Sequence, residues 1–264
     1  MKFETMKAEL DYYAKTAKSG MLDEEIIDAG LIAEFHSGES GEECFLDIPV
    51  SKLISLDKWH RKFFDIGDNW RTAVIGVEVD SWDKRDERPK GKGLDCATWD
   101  ANREEIINYF NSELRMQTFP DKDSTGELRM CIIGGVAYCL LGNHRAAAGK
   151  VWLCHQLGDK AVFKKVHCYR RKIYPKIRKL MKECDDNGAT LKWLVHHDKR
   201  RFALVELNDE KTMYEFDRRC GKLEIVNPKK RFFSPDERSK LLLLDFTEIP
   251  NKLIKSLLKD DLFE

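Results

Sequence analysis

The stretch Gly142-Asn143-His144-Arg145 sits between an apolar run and an alanine-rich segment. A helix start carries free N–H groups and a partial positive pole, so it ordinarily favours acids. Here it carries an arginine and a histidine. That combination suits an external anion, gripped by backbone N–H groups, the helix pole and a guanidinium together. Gly142 would let the backbone approach closely or simply make the turn, and Asn143 offers a helix N-cap. Arg145 would supply a fixed charge, and His144 a second polar contact.

Two further sets could do chemistry. Asp57 and Arg61 follow a short apolar segment, with His60 between them. Asp57 could hold a divalent metal or act as a base, and Arg61 could bind phosphate. Their spacing of four equally suits a surface ion pair. Glu42 and Glu43 are alternative carboxylates that otherwise read as loop charges. The run "KKVHCYRRKIYPKIRK" holds Lys164, Lys165, Arg170, Arg171 and Lys172 and no acid. It could track a phosphate backbone, with Tyr169 and Tyr174 for stacking, or be a solvated face. His196-His197-Asp198 lacks a third ligand at a spacing that would support a metal site.

Bulk composition narrows the setting. The 264 residues suit one large domain or one domain with an appendage. Lys+Arg and Asp+Glu both total 46, so only local clustering can argue for nucleic acid. The 8 cysteines form no C-x-x-C pair, which disfavours a zinc ribbon and suits buried reduced thiols. No run approaches the ~20 apolar residues of a membrane span. The N-terminus has no apolar signal core, so a cytoplasmic protein without membrane attachment is expected.

The elements that must position these groups follow from periodicity and turn residues. Phe3, Met6, Leu10 and Tyr13 predict a helix over 2–19. Residues 44–50 read as a strand leading into a short helix at 50–56. The alternation from Arg71 predicts another strand, followed by a charged Pro/Gly loop from Asp83. A helix is expected over 101–114. Gly134-Gly135 between two apolar runs predicts a hairpin. A helix from about His144 to Leu157 follows, stopped by Gly158, and then a strand from Ala161. Pro175 opens another helix with Ile177, Leu180, Met181 and Cys184 inward. A second hairpin turns near 197–199, "GKLEIV" adds a strand, Ser234-Pro235-Asp236-Glu237 could cap a short helix, and a last helix follows Pro250.

The order hairpin, Gly-x-x-Arg turn, helix, strand in "GGVAYCLLGNHRAAAGKVWLCHQLGDKAVFKKVHCY" resembles the ParB/sulfiredoxin superfamily. "CFLDIPVSKLISLDKWHRKFF" resembles its first strand. The resemblance covers about residues 44–170, interrupted around 65–98. It implies an α+β fold, a mixed sheet with flanking helices, divided as an N-terminal helical extension (1–43), a nucleotide-binding domain (44–172) and a small α+β extension (173–264). It also implies ATP or CTP with Mg2+, cradled by Gly142, Asn143, His144 and Arg145, with Asp57 as metal ligand and Arg61 on phosphate. Asp57, His144 and Arg145 would then be the catalytic residues. Hydrolysis or switching coupled to action on DNA, including nuclease activity, is expected. Phosphotransfer to a free amino acid and a non-enzymatic interaction module are the rivals. Sulfiredoxin's nucleophilic cysteine is replaced here by Asn143, and no clear helix-turn-helix follows.

Overall fold

The computed structural model describes residues 2–37, 41–57, 68–76, 93–124, 126–196, 199–226 and 244–263. It is a mixed α+β structure in two compact units. The first comprises Met1–Ile32, Ser40–Ile132 and Val136–Arg171; the second comprises Ala33–Glu39, Ile133–Gly135 and Lys172–Glu264.

The first unit is built on a sheet of seven strands: β1 (Ile27–Asp28), β2 (Glu42–Pro49), β3 (Leu53–Leu56), β4 (Glu113–Arg115), β5 (Arg129–Ile133), β6 (Val136–Leu141) and β7 (Val162–Arg171). Their order is β1-β3-β6-β5-β7-β2, with β4 also on β7. The sheet is mixed: β3 runs parallel to β6 and β1, and β2 antiparallel to β7. Helices α1 (Met6–Thr16), α2 (Ala29–Ala33), α3 (Trp70–Ile75), α4 (Arg103–Asn111) and α5 (Asn143–Leu157) complete it.

Helix α5 is the axis of this unit. Every residue from Arg145 to Cys154 is buried, so α5 is enclosed on all sides. Gly149 makes room for this: a Cβ there would press on Phe163 of β7 and Phe110 of α4. The fully buried Lys150 donates to the Leu53 carbonyl at 2.8 Å and lies 4.0 Å over the Trp70 ring. One cation thus ties α5 to β3 and α3. Helix α1 packs on α5 and holds the segment 97–102. Asp100 accepts from the Met6 N–H at 2.6 Å, while Arg103 donates to Glu9 at 2.6 Å and to the Phe3 carbonyl at 2.8 Å.

Three local expectations fail. Residues 53–56 form strand β3 rather than a helix, because Leu53, Ser55 and Leu56 are buried in the sheet. Trp70–Ile75 is helix rather than strand: Asn69 and Thr72 form a reciprocal capping box that satisfies the first turn. Glu42 and Glu43 belong to strand β2 rather than to a loop.

The second unit holds a five-stranded sheet ordered β11-β10-β9-β8-β12. Its strands are β8 (Thr190–Val195), β9 (Arg201–Leu207), β10 (Glu210–Asp217), β11 (Lys222–Ile225) and β12 (Thr247–Glu248). Helix α6 (Pro175–Asn187) has Pro175 in its first turn and ends at left-handed Gly188, and buries the four expected residues. Helix α7 (Asn251–Leu257) follows Pro250 as expected. Phe202 and Leu204 of β9, Met213 of β10 and Val226 form a core cluster. The helix expected from Ser234 lies outside the described residues. No described helix is long and apolar enough to cross a membrane.

Candidate functional site

The β5–β6 hairpin turns at Gly134-Gly135, with positive φ at Gly134, and delivers the chain to Gly142. Gly142 takes φ +96° and is the cap of α5, a place the sequence suggested for Asn143. A Cβ on Gly142 would overlap Nε of Arg145, whose side chain folds back over the turn. The glycine is therefore required by its own φ and by the arginine above it.

Asn143 is the first helical residue and is only 4% exposed. Its amide accepts from the Asp57 N–H at 3.0 Å and donates to the Asp57 carbonyl at 2.9 Å. The side chain thus clamps the end of β3 to the start of α5. Asp57 meets this turn through its backbone. Arg61 and His60 lie outside the described residues.

Arg145 is 5% exposed; it donates to the Gly126 carbonyl at 2.8 Å and sits 5.7 Å from the Phe119 ring centre. Burial pushes the neighbouring Tyr109 phenol up, and the Arg145 charge opposes that shift. The first intrahelical bond is Ala146 N–H to Gly142 O, so the amides of residues 143–145 have no carbonyl within α5.

These groups open on a cleft of about 400 Å³. Trp99 and Phe119, 4.7 Å apart, form one wall. Asp95, Asp121 and Asp123 supply carboxylates, and half-buried His144 completes the turn's contribution. Oδ1 of Asp121 is buried without a hydrogen-bond partner among the described residues. An orphan acceptor of this kind fits a cation. Among the described residues no group of three or more His, Cys, Asp or Glu could hold a metal by itself. Mg2+ commonly takes one or two carboxylates and completes its shell with phosphates and water, so the donor set fits a nucleotide-borne Mg2+.

Compared with family models, curated proteins and solved structures, the chain matches none. Geometry and chemistry therefore carry the functional reading.

The basic run is divided by the geometry of β7. Lys164 and Lys172 are exposed, but Lys165 is turned at φ +49° onto Asp47, and Nη1 of Arg171 is buried. Arg170 is half-buried on the strand. A strand sends successive side chains to opposite faces, so the five cations form no single row.

The sequence gives no local sign of a carboxylate–histidine network centred on the same strand. His167, 2% exposed, places Nδ1 2.9 Å from Glu127 and Nε2 2.5 Å from Glu43. The register pairing Phe45 with His167 aligns Glu43 beside Tyr169 on that face, and the Phe45 and Tyr169 rings flank the imidazole. Glu127 also bonds Arg129 at 2.5 Å, which holds its carboxyl down at about 2, against the opposing effect of burial. Gly126, which anchors Arg145, immediately precedes Glu127.

Proposed function

We propose that the chain holds a nucleoside triphosphate, ATP or CTP, with Mg2+ in the cleft at the start of α5, and that it hydrolyses the nucleotide or switches on it while acting on DNA. The observation that carries this reading is the convergence of helix amides, Arg145 and aromatic walls on one cleft of about 400 Å³. The resemblance of residues 44–170 to the ParB/sulfiredoxin superfamily supports both the nucleotide and that fold. The amides of residues 143–145 would bind phosphate oxygens at the positive pole of the helix. Arg145, immobilised by Gly126 and Phe119, would hold its charge in place without reorganising. His144 would contact the phosphates from the rim. Trp99 and Phe119 would cover the base or sugar, and Asp121 would hold the cation, with Asp57 as the alternative suggested by the resemblance. The bound Mg2+ would neutralise charge on the phosphates.

The test is thermal unfolding of wild type, Arg145→Ala and Asp121→Asn against ATP, CTP, GTP and ADP, with and without magnesium. At ~100 times its dissociation constant, a ligand stabilises by about 2.7 kcal/mol. A shift should appear in wild type, vanish in Arg145→Ala and lose its magnesium dependence in Asp121→Asn. The last variant keeps the test decisive if Arg145→Ala fails to fold. No shift with any nucleotide refutes the proposal.

A further inference from the structure

The second unit carries charge unevenly along its sheet. Strands β8 to β11 form an antiparallel meander, so the β8–β9 and β10–β11 turns share one end. That end carries Lys199, Arg200, Arg201, Arg218, Arg219 and Lys222. The β9–β10 turn at the other end reads Asn208-Asp209-Glu210. The basic end encloses a groove of about 820 Å³, lined among the described residues by six cations and three acids, Glu215, Asp217 and Glu224.

The cations divide into a fixed floor and an open rim. Glu34 pairs with Arg201 and, at 3.6 Å, with Arg218. Arg218 also donates to the Ala33 carbonyl at 3.0 Å. Lys222 pairs with Glu224 at 2.8 Å. Lys199 and Arg219 are exposed and make no side-chain hydrogen bond or ion pair among the described residues. Tyr174, packed on Phe216 at 5.1 Å, sets a half-buried ring in the same groove.

We infer that this groove binds the phosphate backbone of a polynucleotide. Cations set on two separate turns suit a chain of phosphates better than one anion, and the Tyr174 ring offers a face for a base. The inference shares with the proposed function the premise that the chain acts on nucleic acid, and it moves the contact from the β7 segment to a surface outside the residues that carry the family resemblance.

The test is fluorescence anisotropy of labelled duplex DNA, single-stranded DNA and RNA on the full chain across a salt series, with polyglutamate as competitor. Lys199→Ala/Arg219→Ala should weaken binding about tenfold or more and lower the salt slope by about 2, one per lost phosphate contact. Lys164→Ala/Lys172→Ala should leave binding unchanged. The probe bound most tightly identifies the polynucleotide. Unchanged binding in the groove variant, loss only in the β7 variant, or competition by polyglutamate as strong as by nucleic acid would overturn the inference. So would wild type binding none of the probes. A nucleotide-induced thermal shift that persists in that case would leave the cleft assignment standing.

Discussion

Replacing Gly142 with alanine tests the geometry of the α5 turn most directly. Alanine at φ +96° costs about 1–2 kcal/mol in backbone strain alone. Its Cβ would also displace Arg145 from Gly126 and Phe119. A charged hydrogen bond contributes ~1.5–3 kcal/mol and a cation–π contact ~0.5–1 kcal/mol, so Arg145→Ala should cost about 2–4 kcal/mol. Losing part of those contacts brings Gly142→Ala to about 3 kcal/mol. In the Arg145→Ala background no long side chain remains to be displaced, and Gly142→Ala should cost only the strain. The double-mutant cycle should therefore show a coupling of about 1–2 kcal/mol. Guanidinium melts of the four proteins measure it, read from the transition that Arg145→Ala moves. Additivity within about 0.5 kcal/mol would refute the claim that Arg145 lies on Gly142.

Two other outcomes are expected. Glu127 takes its proton at about 2 in the fold, against 4.5 ordinarily, so between those pH values the unfolded chain binds more protons. The stability it confers is present above 4.5 and falls as pH drops through the window. Glu127→Gln should flatten guanidinium midpoints there, and parallel profiles would contradict the Arg129 pairing. With a thiol reagent at neutral pH, exposed Cys220 should react first and half-buried Cys44 next. Cys96, Cys139 and Cys168, pushed up to about 12 by burial, and Cys131 and Cys184, pushed up to about 11, should wait for denaturant. Early labelling by mass spectrometry of any of those five would show that the core opens.

Elements with strong local punctuation were legible in the sequence. Gly134-Gly135, Gly142 and Gly158 mark the ends of β5, β6 and α5, and Pro175 and Gly188 bracket α6. Helix α3 was not, because Thr72, Val74 and Ile75 are β-branched and alternate like a strand; the Asn69–Thr72 capping box outweighs that weak propensity. The GNHR turn announced the start of α5 through residue type alone. The walls of its cleft did not, since Trp99, Phe119 and Asp121 come from segments whose approach depends on α1 and α4 packing. The Glu43–His167 contact is set by strand register across 124 residues, and Glu127 reaches His167 from the segment before β5, 40 residues away; no local pattern encodes either.

Helix α1 stands far from Gly142 in sequence, yet it fixes the wall opposite. The Met6 amide and Glu9 hold Asp100, next to Trp99 in its turn, and Arg103, the first residue after that turn. A polypeptide started at Met21, the next methionine after Met6, would retain every residue of the GNHR turn and lose the strut behind Trp99.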